Sequence, residues 1–281
     1  MNATIIGLGL IGGSLSKDLK ARGILNHVVG VDANATNASE ALKLKLADEI
    51  KPLEESFNTD LIILAIPVDA IKKMLPEILN RINPKTIVID TGSTKEGICY
   101  EVRSHKNRNR FVAAHPIAGT ENTGPSAAIN NLFDHKVSII CEKELSDKDA
   151  IETAAKLFSI LKMKLIYMNA SDHDMHLAYI SHLSHISSFA LGNTVLDIEK
   201  NHKNIFNLAG SGFASTVRLA KSSPDMWQPI LEQNSENVLK ALDAYIQKLE
   251  QLRKLITEKN SEEIHRFMAE ANEIRKILEN I

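Results

Sequence analysis

The chain has 281 residues, 44% of them hydrophobic and 24% charged, with a formal net charge of -2 at pH 7. That near-neutral balance gives no global field to recruit nucleic acid or an anionic membrane, and no apolar run reaches the ~18 residues of a membrane span. Cys99 and Cys141 are too few for a disulfide framework, and the N-terminus enters a strand with no basic leader, so a cytoplasmic protein is expected.

The first half alternates strand and helix. Residues 3–6 are a short apolar run, followed at once by Gly7-Leu-Gly9-Leu10-Ile11-Gly12-Gly13-Ser14 and an amphipathic stretch over 15–21. Gly7, Gly9 and Gly12 fit the spacing G-x-G-x-x-G. Such glycines serve a tight turn, close approach of a pyrophosphate, and close packing of helix on sheet. The helix start adds free amides and a positive dipole end. A second strand over 28–32 ends in Asp32, about 20 residues beyond Gly12, where an acid accepts a ribose 2′-hydroxyl. Asp32 would repel a 2′-phosphate, and Ala33 and Asn34 offer no arginine to hold one, so NAD is favoured over NADP. Methyl-donor-binding enzymes carry a similar turn; strand, helix and acid in register favour the nicotinamide reading.

Further strands are predicted over 60–66, 85–90, 111–114, 136–141 and 164–168, with helices over 70–79 and 147–161. The wholly apolar strand before Pro67 is what a parallel sheet covered on both faces requires. The expected fold is therefore α/β: a Rossmann-type, doubly wound, mostly parallel sheet over residues 1–168, then an all-α domain over 169–281. In open sheets of this type ligands bind beyond the carboxyl ends of the strands. Pro67, Val68, Ser93 and His115 fall at such ends and should line one crevice. His115 precedes Pro116, which holds it extended, at the tip of a buried strand and pointing out of the sheet edge. The basic run from His105 to Arg110 reads as a solvated turn.

Beyond residue 169 the pattern is helical. Ser171 to Asp174 has the form of a capping box and opens a long helix to about residue 198. It carries His173, His176, His182 and His185, and His182 and His185 share a face. These rings fit three roles: metal ligands, buried hydrogen-bonding groups, or the lining of an anion pocket. The first lacks the fixed spacing a zinc site needs. A glycine break at 208–213 precedes Arg218, placed to clamp a carboxylate with two parallel hydrogen bonds or to form an exposed salt bridge. Trp227 reads as core more than as ligand contact. Val238, Leu242, Tyr245, Leu249, Leu252 and Ile256, then Ile264, Phe267 or Met268, Ala271, Ile274 and Leu278, form the seams of two long helices that must be buried. They predict a homodimer.

Taken together, Gly7 to Ser14, Asp90-Thr-Gly-Ser93-Thr-Lys95, His115-Pro-Ile-Ala-Gly-Thr-Glu121, Ser181-His-Leu-Ser-His185 and Gly212-Phe-Ala-Ser-Thr-Val-Arg218 resemble, in this order, the prephenate dehydrogenases of tyrosine biosynthesis. The resemblance spans essentially the whole chain. It implies an NAD-dependent oxidative decarboxylation of prephenate to 4-hydroxyphenylpyruvate by a nucleotide-binding domain followed by a helical dimerisation domain. It implies that His115 takes the substrate hydroxyl proton and that Ser93 bonds the same hydroxyl or orients His115. It also implies that His182, His185 and Arg218 hold the substrate carboxylates, and that Glu121 helps gate the pocket. Cofactor contacts are expected at Gly7, Gly9, Leu10, Ile11, Gly12, Asp32, Pro67 and Val68, and no metal.

Two departures from the family pattern stand out. Ala214 and Ser215 replace an arginine and an aspartate, so Arg218 must be oriented differently. Ser184 replaces a proline, which should make its helix more regular. No C-terminal regulatory domain and no fused mutase domain are expected. Arogenate dehydrogenase is the alternative within the class, and a β-hydroxyacid dehydrogenase is disfavoured for want of a helical lysine. A non-catalytic NAD sensor would not need His115, Ser93 and Arg218 together.

Overall fold

The computed structural model describes residues 1–202 and 204–279; Asn280 and Ile281, the end of the predicted helical domain, lie outside them. In chain order the first elements are β1 (Asn2–Ile6), α1 (Leu10–Ala21), β2 (His27–Val31), α2 (Ala35–Lys43), β3 (Glu49–Ile50), β4 (Leu61–Leu64) and α3 (Val68–Arg81). Then come β5 (Ile87–Asp90), α4 (Glu96–Glu101), β6 (Phe111–Ile117), β7 (Val137–Cys141), α5 (Lys148–Ile160) and β8 (Lys164–Met168). They form one eight-stranded sheet in the order β3-β2-β1-β4-β5-β6-β7-β8. Every neighbouring pair is parallel except β6 and β7. The chain reverses its order of addition between β1 and β4, the switch point where such sheets bind ligands. The two-residue β3, too short to show a pattern, is the strand the sequence did not reveal.

Side chains alternate across each strand, and the two faces carry separate cores. Ile5, Ile63, Ile89, Val112 and Ala114 share one cluster with α1 and α5. Ile6, Ile62, Leu64, Val88, Phe111 and Ala113 share the other with α3 and α4, and with Ala170, Leu177, Trp227 and Ile230. That second face decides where the site forms.

After β8 come α6 (Ala170–Leu177), a π turn (Ala178–His182), α7 (Leu183–Asn201), α8 (Ser211–Thr216) and α9 (Pro224–Gln233). The expected capping box at Ser171 is displaced: Asn169 is the cap, its side chain accepting from Asp172 N. The regular helix expected around Ser184 is interrupted just before it by the π turn. Arg218 opens a 3-10 turn, Arg218–Lys221, rather than continuing the α-helix, which ends at Thr216.

The basic run is no solvated turn. Arg108 and Arg110 are only 4% and 6% exposed. Arg108 donates to the Phe111 carbonyl and Ser146, and Arg110 grips Asp149 and the carbonyls of Thr86 and Lys85. Cys99, in α4, and Cys141, in β7, are both free and buried.

The described chain divides into two compact units, Met1–Ser235 and Glu236–Ile281. The second is built from α10 (Ser235–Thr257), α11 (Ser261–Ala271) and α12 (Ile274–Leu278). The last predicted seam is thus broken at Asn272 and Glu273 instead of running along one helix. Leu249, Ile256, Met268, Ile274 and Leu278 of the seams stay exposed in the single chain. Among the described residues no helix is long and apolar enough to cross a membrane.

Candidate active site

The glycine turn is built as its spacing demands. Gly7 has φ +92°, and a Cβ there would lie 2.3 Å from the Ala65 carbonyl oxygen. A Cβ on Gly12 would lie 2.0 Å from the Gly7 oxygen, so α1 closes on β1 only with glycine at both. At Gly9 the reason differs: the nearest atom to an added Cβ is 4.0 Å away, and the space kept clear belongs to the crevice that Gly9 lines. Gly9 caps α1 without a side chain, leaving the first-turn amides without helix partners. Asp32 directly follows β2 and accepts Leu8 N–H at 3.1 Å and Asn34 N–H at 2.9 Å. Gly9 thus keeps open space beside the free amides of α1, and Asp32 retains lone pairs that can accept hydroxyl hydrogens.

His115 follows Ala113 by two residues, so it shares that residue's face, the one covered by α6 and α9. It remains within β6, which runs three residues further than predicted and pairs with β7. The ring is thus buried under α6 instead of projecting from an edge. Its Nδ1 lies 2.8 Å from Nε2 of His173, which is fully buried. Nε2 of His115 is the remaining nitrogen. Burial lowers the His115 pKa well below the usual histidine value, and His173, Lys95 and His182 lower it further. Lys95 is buried against Asp90 and donates to the Ala114 carbonyl at 2.8 Å. Asp90 accepts the Gly92 and Ala114 amides, tying the ends of β5 and β6 together.

The helical wall brings the rest. His185 stacks on Trp227 with ring centroids 3.6 Å apart, and His182 meets the same indole edge-on at 5.8 Å. Asn234 donates its amide to His182 Nδ1 at 3.2 Å, so the neutral ring carries its hydrogen on Nε2. His185 Nδ1–H donates to the Ser181 carbonyl at 3.0 Å. Burial lowers the His182 pKa to about 4, with Asp174 opposing, and burial lowers that of His185 too. Both are therefore neutral at pH 7: His182 can offer an anion its Nε2 hydrogen, while His185 spends its one hydrogen on the Ser181 carbonyl and shapes the wall through its stack on Trp227. Arg218 Nη1 lies 3.6 Å from Glu121 Oε2, a carboxylate partner from another part of the chain. Trp227 is buried as expected yet also lines the crevice, and its indole N–H has no partner among the described residues.

One crevice of about 530 Å³ is lined by Gly9, Leu10, Ile11, Pro67, Val68, Ser93, His115, Glu121, His182, His185 and Arg218. Gly7, Gly12 and Asp32 are not among the residues that line it. Sequence reasoning singled out neither Lys95, Asp90 and Asp174 nor the contact of His173 with His115. The motif Asp90-Thr-Gly-Ser-Thr-Lys95 was the available signal for the first pair.

A doubly wound sheet carrying that glycine turn at its switch point is the architecture of a nucleotide-binding oxidoreductase. The family model for the prephenate dehydrogenase nucleotide-binding domain matches residues 15–167, and the model for the prephenate dehydrogenase dimerization domain matches residues 169–270. Prephenate dehydrogenase of Bacillus subtilis is 30% identical over 98% of this chain and 76% of its own. Among solved structures, prephenate dehydrogenase from Aquifex aeolicus in complex with hydroxyphenyl propionate and NAD+ superposes with a TM-score of 0.88 at 30% identity, covering 99% of this chain and 98% of that one. Synechocystis arogenate dehydrogenase gives a TM-score of 0.75 at 29% identity, covering 99% of this chain and 100% of that one. The chain belongs to the prephenate dehydrogenase family.

Proposed function

We propose that this protein is an NAD-dependent prephenate dehydrogenase of tyrosine biosynthesis. The observation that carries the reading is the meeting, in one crevice, of the glycine turn, the free nitrogen of buried His115, and Arg218. Gly7, Gly9, Leu10, Ile11, Gly12 and Asp32 would hold the dinucleotide, with Pro67 and Val68 flanking its nicotinamide. NAD, when bound, supplies the acceptor for the hydride of the hydroxyl-bearing ring carbon.

The residues of the chain handle the proton and the carboxylates. His115 Nε2 takes the proton of the substrate hydroxyl, as a neutral imidazole does for an oxygen acid within reach. Ser93 hydrogen-bonds the same oxygen. The ring carboxylate leaves as carbon dioxide, and its bonding electrons make the ring aromatic. His115 then returns its proton to the phenolate oxygen, giving 4-hydroxyphenylpyruvate. Arg218 binds a substrate carboxylate through its guanidinium, helped by His182 as a neutral donor and by His185 packed against the same carboxylate, and Glu121 guards the approach.

In this reading residues 1–168 bind the nucleotide, and residues 169–281 bind substrate and join two copies in a cytoplasmic homodimer. The exposed seam residues of α10 to α12 support that assembly, as does the family's dimerization model. A strictly monomeric mass at micromolar concentration would count against it.

Reduction of NAD and of NADP, measured with prephenate and with arogenate side by side, tests the function. Turnover of prephenate with NAD is expected. Preference for arogenate would move the substrate to that of the Synechocystis relative, and inertness toward both would overturn the proposal.

A further inference from the structure

Behind His115 lies a second pair of groups, and both are out of reach of the crevice. His173 is fully buried and Asp174 is 1% exposed. Asp174 Oδ1 accepts Lys95 N–H at 2.7 Å, and Oδ2 accepts Glu96 N–H at 2.9 Å, so the carboxylate caps the start of α4. Its backbone carbonyl accepts the Asn234 side-chain amide at 2.7 Å. Asp174 is therefore held from two elements outside α6, its carboxylate by the start of α4 and its backbone carbonyl by Asn234. Its Oδ1 also lies 2.7 Å from His173 Nδ1. Because both oxygens already serve backbone donors, the hydrogen in that contact belongs to the imidazole.

The rest follows by counting hydrogens. A neutral imidazole carries one N–H and one lone pair. With its hydrogen on Nδ1, His173 presents a lone pair at Nε2. The 2.8 Å contact with His115 Nδ1 then requires His115 to be the donor. His115 in turn keeps its lone pair on Nε2, the nitrogen available to the crevice. The opposite arrangement would put a proton on His115 Nε2 and leave nothing there to accept one. A doubly protonated His173 is opposed by its burial, the largest influence on its pKa.

We infer that His173 and Asp174 form a positioning pair that fixes the tautomer and ring plane of His115, so that its basic nitrogen faces substrate. This deepens the proposed function and rests on it. His173 touches no reacting atom; it acts through His115, as partners that fix a histidine's tautomer do.

The test compares His173→Asn with His173→Gln, each in the native chain and in the His115→Asn background. Asparagine keeps a polar group near the Nδ1 position for Asp174 but has no acceptor long enough to reach His115. Glutamine can present its amide oxygen near where Nε2 stood. With prephenate and NAD, His173→Asn should lower kcat by roughly 10–10³-fold, the range for such partners, and should move KM by less than about twofold. His173→Gln should restore most of the rate. In the His115→Asn background neither change should cost anything further, because groups acting as one unit are non-additive. Equal loss in both backgrounds, or equal rates for the Asn and Gln variants, would overturn the inference while leaving the proposed function standing. An unchanged kcat in His115→Asn alone would instead overturn the assignment of His115.

Discussion

Arg218 and Glu121 face each other at 3.6 Å within the lining of the crevice that holds His115. Both are partly exposed, so the pair itself is worth at most ~1 kcal/mol. Arg218 is nevertheless the only permanent cation among the described residues lining the crevice, since His182 and His185 are neutral at pH 7. A charge-assisted hydrogen bond contributes ~1.5–3 kcal/mol, so Arg218→Ala should raise KM for substrate by roughly 10–100-fold with little change in NAD affinity. Glu121→Gln should move KM by only a few-fold. Steady-state kinetics on both variants decides; a change confined to NAD affinity would mean that Arg218 serves the nucleotide instead.

His115 must be neutral to take a proton. Burial disfavours its imidazolium, and the neighbouring His173, Lys95 and His182 act in the same direction. Its folded pKa is thus depressed, and the neutral form persists as pH falls through the ordinary histidine value of ~6.5. The expected kcat/KM profile stays level through that region and falls only at more acid pH. A break at or above 6.5 would contradict it. His115→Asn should lower kcat by about 10²–10⁴-fold, the usual contribution of a general base, with nucleotide affinity nearly intact by fluorescence titration.

Asp32 has two tasks. Its oxygens hold the Leu8 and Asn34 amides, and its charge repels a 2′-phosphate. Asp32→Ala should therefore relax the preference for NAD over NADP and also weaken binding of both, because the glycine loop loses an anchor. The ratio of kcat/KM with the two nucleotides checks this, and an unaltered ratio would show that discrimination lies elsewhere.

Lys95 and Asp90 form an ion pair with no solvent access. Removing one partner leaves an uncompensated charge in the core, at a cost of about 3–5 kcal/mol. Lys95→Met should lower stability in urea by that amount, and adding Asp90→Asn should recover most of it. If the double variant is less stable than the single one, the hydrogen bonds of Asp90 to Gly92 and Ala114 matter more than its charge.

The sheet was legible because its signals are local. Gly7, Gly9, Gly12 and Asp32 sit at fixed spacings around one turn, and the apolar runs mark β1, β4 and β5 without ambiguity. What escaped depends on residues far apart in the chain. Arg108 and Arg110 look like a solvated run until Asp149, the Phe111 carbonyl and the neighbouring strands close over them. His173 was one of four rings on a helix, and only the face of His115 sets it apart, 58 residues away. The π turn at Ala178–His182 has no glycine or proline to announce it. Neither the periodicity nor Ser184 predicted it.

The two cysteines acquire a use from their surroundings. Both lie in the same core layer as Phe111 and Trp227. Burial pushes the Cys99 thiol up to about 12 and raises that of Cys141 further still. Neither presents a thiolate, the reactive form, while that layer is closed. An alkylating reagent added to the native protein therefore has nothing to attack until α4 or β7 comes away. The rate of labelling becomes a clock for the opening of the layer on which the His115 ring rests.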